Sequence, residues 1–347
     1  MPLLSTMATL KDISKHLGLS VTQVSRAMNN HSDVSEATTE RVHMAARELG
    51  YVVNQSARSL VTGRSGLVSL IRPGGLSGPA DLSVLETISG LSNEFFERGM
   101  QFVLQMMPPG SDALPVYRQA SASGAFDGFI LIDAKLNDPR VTLLETLGSP
   151  FVMHGRAQPD ATHPYFDIDN FEVARRHVTH LTELGHKRIA MLNAIPGQAY
   201  TEYRTQGYQA GLSAAGLPFD PSLVVNTQMT EGNGMISTAR LFEDEQNRPT
   251  ALICGSILLA KGAYTALQAM GLRIPEDVSV VAHDDVLHDI RGSAFYPSLT
   301  VTKSAFSESW SVLADILCAE IRGDESVARQ HVAEFEFIVR ASSAAPS

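Results

Sequence analysis

Of 347 residues only two are cysteine, Cys254 and Cys318, and one is tryptophan. Two thiols so far apart make neither a disulfide framework nor a zinc-ligand spacing. No apolar run approaches the ~18 residues that span a bilayer, so no membrane partner is expected. Met1 to Leu10 lack the basic and long apolar stretches of a secretory leader, and the expected location is the cytoplasm. Met1 to Thr6 reads as an upstream start or a short leader before Met7. A Walker A run is missing, and Gly74-Gly75-Leu76-Ser77-Gly78 is not a dinucleotide fingerprint. Cys254-Gly255-Ser256-Ile257-Leu258 is not a nucleophile elbow, which needs glycine on both sides of the serine. His283, Asp284, Asp285 and His288 cluster, but neither a metal nor a cofactor is expected there. With no catalytic set, the chain is not expected to be an enzyme.

What is present is an ordinary globular composition, 44% hydrophobic and 18% charged, long enough for two or three domains. The net charge of −10 argues against nucleic acid, but its distribution is uneven. Residues 1–66 hold seven Lys/Arg against five Asp/Glu, net +2, which leaves −12 for the remainder. A weakly basic head on an acidic body suits a head that touches phosphates and a body that does not.

The head reads as three short helices. Leu10, Ile13 and Leu17 share a helical face after Thr9, and Gly18 stops it. Ser20 caps a second helix, Val21 to Met28, and Ser35 a third that ends at Gly50. Helix, glycine-containing turn, helix is the helix-turn-helix spacing, and a helical hairpin with a solvated polar face fits it equally well. On the first reading the second helix enters a major groove. Arg26 then reads guanine, Thr22 a base edge and Val21 a thymine methyl. Ser20, Ser25, Asn29, Ser35 and Thr38 are placed to hold phosphates.

The run from Thr9 resembles the head of LacI/GalR-family repressors, T-x-x-D-V-A-x-x-A-G-V-S-x-x-T-V-S-R-x-x-N. Thr9, Asp12, Ile13, Gly18, Leu19, Ser20, Val24, Ser25, Arg26 and Asn29 stand at those places. Gln23 departs, where the family usually has Thr. Tyr51, Asn54, Ala57, Arg58 and Leu60 match the family hinge, with Val53 in place of its proline. The resemblance implies DNA contacts from Thr9, Tyr51, Asn54 and Ala57, and a minor-groove wedge at Leu60. A two-turn hinge helix is too short to be stable alone, so it is expected to order beside its dimer mate on DNA.

From Gly66 short apolar strands alternate with amphipathic helices, the pattern of parallel sheets covered on both faces. The fold class expected is an all-α helix-turn-helix head plus an α/β body. The body is two doubly wound parallel-sheet subdomains of the periplasmic-binding-protein-like type. The boundaries expected are 7–53 for the head, 54–65 for the hinge and 66–345 for the body. Its N-lobe takes about 66–165 plus 297–325, and its C-lobe about 166–296 plus 326–345.

Body motifs extend the resemblance. Asp167-Ile168-Asp169-Asn170, Gly185-His186-Lys187-Arg188-Ile189, Arg204-Thr205-Gln206-Gly207-Tyr208 and Ile274-Pro275-Glu276-Asp277-Val278 match family runs. It implies effector contacts at Arg204 and Asp284, which suit vicinal sugar hydroxyls, and also at Asn170 and Phe306. Arg72, after the first body strand, and Ser256 and His283 in departing positions complete the candidate pocket. His177 and His180 are expected to be solvated helix residues. The partners expected are double-stranded operator DNA, a small-molecule effector, namely a sugar or glycoside acting as inducer, and a second copy in a homodimer. A co-repressor such as a purine or phosphorylated sugar is the alternative; a solute-binding protein is opposed by the head.

Overall fold

The structure, a computed structural model, describes residues 8–28, 33–51, 63–74, 82–284, 290–305 and 307–347. The chain divides into two units, 1–65 and 66–347.

The first unit holds α1 (Leu10–Leu17), α2 (Val21–Met28) and α3 (Glu36–Glu48). The Asp12 carboxylate accepts from the Thr9 N–H at 2.8 Å and its hydroxyl at 2.7 Å, fastening the start of α1. Gly18 ends the helix with a left-handed φ of 67°. Ser20 and Gln23 cap α2 reciprocally: the Ser20 hydroxyl accepts from Gln23 N–H, and Gln23 Oε1 accepts from Ser20 N–H, both at 3.1 Å. Beyond α3 the Tyr51 N–H reaches back to the Ala46 carbonyl at 2.8 Å across Gly50, a Schellman closure. Ile13, Val24, Ala27, Val42, Ala45 and Ala46 make the buried centre.

The second unit is two lobes. The N-terminal lobe is built on β1 (Leu67–Pro73), β2 (Gln101–Met107), β3 (Gly128–Leu131), β4 (Phe151–His154), β5 (Tyr165–Ile168) and β11 (Gln330–Ala333). These six run parallel in the order β11-β5-β4-β3-β1-β2. The C-terminal lobe has β6 (Ile189–Asn193), β7 (Val224–Asn226), β8 (Ala251–Cys254), β9 (Ser279–Asp284), β10 (Thr300–Lys303) and β12 (Glu336–Ile338). Their order is β12-β10-β9-β8-β6-β7, antiparallel only at β12. Helices α4 (Leu82–Glu97), α5 (Leu114–Ala122), α6 (Pro139–Leu147) and α11 (Glu308–Arg322) accompany the first sheet. Helices α7 (Asn170–Glu183), α8 (Ala199–Ala214), α9 (Glu231–Leu241) and α10 (Ile257–Ala269) accompany the second.

The strands are apolar without alternation because both faces are covered. Phe129 and Leu131 of β3 enter a cluster with Tyr117 and Met153, while Ile130 enters the opposite one with Leu91 and Leu313. In the second sheet Val281 packs towards Val178 and Tyr208, and Val280 and Ala282 towards Leu259 and Ala263.

The sheets redraw the expected lobe boundaries. Residues 166–168 complete β5 in the first sheet, so the chain crosses after Ile168 rather than before it. β10 was expected in the N-lobe but pairs with β9, Thr300 opposite Val281, because Val301 belongs to the second lobe's core. β11 was expected in the C-lobe but pairs with β5. The chain therefore crosses between the sheets three times: at 168–170, at 303–308 and at 333–336.

Two close helix crossings depend on glycine. A Cβ at Gly207 of α8 would sit 2.0 Å from the Phe171 carbonyl oxygen of α7, and one at Gly262 of α10 would meet the Glu231 oxygen at 2.0 Å. His177 and His180 are buried, not solvated. α7 lies between the second sheet and the C-terminal tail, so His177 Nε2 bonds Thr302 at 3.1 Å and His180 Nε2 bonds Ser343 at 2.9 Å. Burial holds the His177 imidazole well below its usual pKa, which keeps it neutral.

Candidate functional site

Helix α2 of the head presents Val21, Thr22, Gln23 and Arg26 to solvent, while Val24 and Ala27 face the core. The Arg26 Nη1 donates to Asp33 Oδ2 at 2.6 Å, and both side chains are half exposed. Ser25 is part-buried. Ser20 and Ser35 are helix caps, the latter accepting from Thr38 N–H at 3.4 Å and bonding the Thr38 hydroxyl at 2.9 Å. Thr9 is the exposed cap of α1, and Tyr51 packs against the head's core. Asn29, Asn54, Ala57 and Leu60 lie outside the described residues. The departure at Gln23 has a local explanation, because its amide oxygen closes the cap of α2.

In the body a cavity of about 190 Å³ is walled by both lobes. The C-terminal ends of parallel strands deliver most of its polar groups, as open α/β sheets do. Asp133 follows β3, Arg156 follows β4, Asp167 sits near the end of β5 and Asn170 opens α7. Tyr200, Tyr203 and Arg204 come from the first turns of α8.

A continuous polar row crosses between the lobes. Arg156 Nε donates to Asp167 Oδ2 at 2.6 Å. Asn170 Nδ2 donates to Asp167 Oδ1 at a long 3.4 Å, and its Oδ1 accepts from Arg204 Nε at 2.8 Å. Arg204 Nη1 donates to the Gly255 carbonyl at 2.5 Å. Gly207 lets α8 approach α7 closely enough for Arg204 to meet Asn170. The Arg204 guanidinium also lies 5.4 Å from the centre of the Tyr200 ring. Burial pushes the Asp167 carboxyl up to about 6, against the pull of Arg156. Asp133 has a left-handed φ of 55°, uncommon for a non-glycine residue and frequent at binding sites.

Arg204 and Asn170 therefore come together in the cavity wall. The other candidates sit elsewhere. Arg72 lies within β1, not after it; its Nε is 3.6 Å from Asp133, and it does not line the cavity. Ser256 caps α10, accepting from Leu259 N–H at 3.3 Å. His283 alternates to the α7 side of β9, where Nδ1 bonds Thr302 at 3.0 Å. Asp284 Oδ2 accepts from Gly292 N–H at 3.2 Å, and it too is absent from the cavity wall among the described residues. Phe306 lies outside the described residues. Sequence reasoning missed Asp133, Arg156, Asp167, Tyr200 and Tyr203. Their shared signal is position, at a strand's C-terminal end or in the helical turn that leads to Arg204.

Among the described residues no helix is long and apolar enough to cross a membrane. A family model described as "Bacterial regulatory proteins, lacI family" matches residues 9–54, and a "Periplasmic binding protein-like domain" matches residues 178–343. The HTH-type transcriptional regulator AglR of Rhizobium meliloti (strain 1021) is 35% identical over 335 residues, spanning 96% of this chain and 94% of that protein. The chain belongs to the LacI family of transcriptional regulators.

As a LacI-family regulator it binds DNA through its helix-turn-helix head under the control of a small-molecule effector. The HTH-type transcriptional regulator CelR of Thermobifida fusca is 32% identical over 339 residues, 96% of this chain and 98% of that protein. A solved CelR–cellobiose complex is similar with a TM-score of 0.69 at 29% identity, covering 97% of this chain and 100% of that one. Both relatives are transcriptional regulators.

Proposed function

We propose that the chain is a cytoplasmic, homodimeric repressor without enzymatic activity, released from its operator by a neutral sugar or glycoside bound in the cleft. The observation that carries this reading is the buried Arg204, held by Asn170 and Gly255 in a cavity walled by both lobes. A guanidinium held in a fixed orientation suits paired hydroxyls. Asp133 and Asp167 add acceptors, and Tyr200 supplies an apolar ring face. The relative CelR has been solved with cellobiose.

The same carboxylates oppose the phosphorylated-sugar form of the co-repressor alternative. A phosphorylated sugar would bring its charge beside Asp133 and Asp167, at a Coulombic cost. Because the chain crosses between lobes three times, a ligand touching both biases their relative arrangement. Thr22, Val21 and Arg26 read bases, while Ser25 and the capped helix starts face phosphates.

Fluorescence anisotropy on the full-length protein and its own upstream DNA tests this reading. Neutral sugars should release the DNA, whereas hypoxanthine and glucose 6-phosphate should not. Arg204→Ala should bind DNA normally and ignore the sugars. Tighter DNA binding with hypoxanthine or glucose 6-phosphate would replace this reading with the co-repressor one.

A further inference from the structure

The cavity is shut on one side by a contact that no chain crossing makes. The crossings gather at one edge of each sheet, at β5 and β11 of the first and at β10 and β12 of the second. The contact lies farther along both sheets. The loop after β3 stands two strands from β5, and the start of α8, after β6, stands three strands from β10. There the Ala199 N–H donates to the Ala134 carbonyl at 2.7 Å. With the Gln198 amide oriented to satisfy both its ends, Nε2 donates to the Asp133 carbonyl at 3.1 Å and to the Ala134 carbonyl at 3.3 Å. Ala199 and Tyr203, one turn apart on α8, are buried among Tyr117, Phe129 and Met153 of the N-terminal lobe. Asp133, Ala134, Tyr200 and Tyr203 all line the cavity, so this seam is one of its walls.

Each half of the seam is held by its own lobe. Arg140 Nη2 donates to the Ile132 carbonyl at 2.9 Å and the Asp133 carbonyl at 3.2 Å, and it meets the buried Asp138 carboxylate at 2.7 Å. Asp138 also accepts from the Lys135 N–H at 3.1 Å. Across the seam, Asn193 Nδ2 donates to the Thr201 carbonyl at 2.9 Å, and the Thr201 hydroxyl donates to the Ile195 carbonyl at 3.0 Å. The seam can therefore part without either half losing its shape. Parting costs the bonds to Asp133 and Ala134 and the burial of two side chains, far less than unfolding a lobe. The crossing segments at the other edge are placed to act as the hinge.

We propose that the 133–138 loop and the Gln198–Ala199 start of α8 form a latch on the effector cleft, shut in the resting protein, whose opening sets how fast the effector enters and leaves. This rests on the reading of the cleft as the effector site. The latch closes over an empty and a filled cleft alike. Loosening it therefore speeds entry and exit together and leaves the affinity nearly unchanged.

Ala199→Pro tests it. Ala199 is the first residue of α8, and Gln198 before it is extended with ψ 135°. Proline fits there without breaking the helix and removes the latching N–H. Gln198→Ala removes the side-chain bonds instead, and thermal unfolding confirms that both variants fold. Leu136 and Ile195 are exposed on the two sides of the latch, and both native cysteines are buried. Spin labels in the full-length protein carrying Leu136→Cys and Ile195→Cys therefore report the gap with no sugar present. Either latch variant should add a longer-distance population. An unchanged distance distribution in both would overturn the latch.

Stopped-flow mixing with cellobiose, maltose and glucose reads the gate. For a sugar that binds, Ala199→Pro should raise association and dissociation rates both about fivefold, the worth of one hydrogen bond, with Kd changed less than about twofold. Faster dissociation with unchanged association would make Ala199 a contributor to affinity and overturn the gate. Failure of all three sugars to bind the wild-type protein would count against the sugar reading, and the spin-label distances would still decide the latch.

Discussion

Arg26 and Arg204 are both helical arginines placed for recognition, yet their surroundings are opposite. Arg26 is half exposed and paired with one equally exposed carboxylate, Asp33. Arg204 is buried and held by an amide oxygen and a backbone carbonyl. An exposed ion pair contributes about 1 kcal/mol or less, so Arg26 can exchange Asp33 for a base or a phosphate at little cost. A buried guanidinium cannot leave its acceptors without stranding them. The head therefore keeps its reader adjustable, while the body keeps its sensor preorganised.

The comparison is tested hardest at the buried end. Arg156→Met leaves the Asp167 carboxylate in place without its partner, and should cost about 3–5 kcal/mol of stability at pH 7.5 by denaturant unfolding. The loss should shrink as the solution is acidified. Asp167 has its pKa raised from 3.8 to about 6 in the folded chain, so the folded state holds the extra proton. Its contribution favours folding below about pH 4 and is lost as pH rises through about 6. Asp167→Asn should flatten that stretch of the stability–pH curve. A pH-independent loss in Arg156→Met would show that Asp167 does not carry the charge.

Next comes Gly207→Ala, whose methyl would press on the Phe171 carbonyl. Pushing α8 from α7 should cost about 1–3 kcal/mol, seen as a lower Tm, and should loosen Arg204 from Asn170, seen as weaker effector binding. Wild-type affinity in this variant would separate the helix crossing from the site. At the exposed end, Arg26→Ala should lose about 1–3 kcal/mol of discrimination at one operator base pair, with folding unchanged. A uniform loss over all sequences would make Arg26 a phosphate contact. The smallest effect belongs to Asp33→Asn: it frees Arg26 and should raise affinity for random DNA only a few-fold. No change there would mean that the ion pair does not compete with DNA.

The difference between the two regions also explains what could be read before folding. In the head every helix is bounded by local chemistry, Thr9 with Asp12, Ser20 with Gln23, Gly18 and Gly50, so its elements were legible. The strands β1, β3, β8 and β9 were legible as continuous apolar runs. β7, β11 and β12 were not, because their residues are mostly exposed or half-buried and so form no continuous apolar run. The cleft was half legible. Arg204 and Asn170 stand in recognisable motifs, whereas Arg156, Asp167 and Tyr203 meet only once β4, β5 and α8 are assembled. His177 and His180 misled because an i, i+3 pair of polar residues resembles a solvated face. The Thr302 hydroxyl and the tail's Ser343 that receive them lie more than 120 residues away.

The three crossings between the sheets bear on how such regulators can be recombined. A new operator preference can be grafted by exchanging the segment before residue 66, one contiguous piece of chain. A new effector preference cannot be grafted by exchanging either lobe, because each lobe is stitched from separated segments. The two walls of the cleft must travel together, from β1 to the last strand. Chimeras cut at residue 65 should keep both activities, and chimeras cut at residue 169 should inherit a cleft made of mismatched halves.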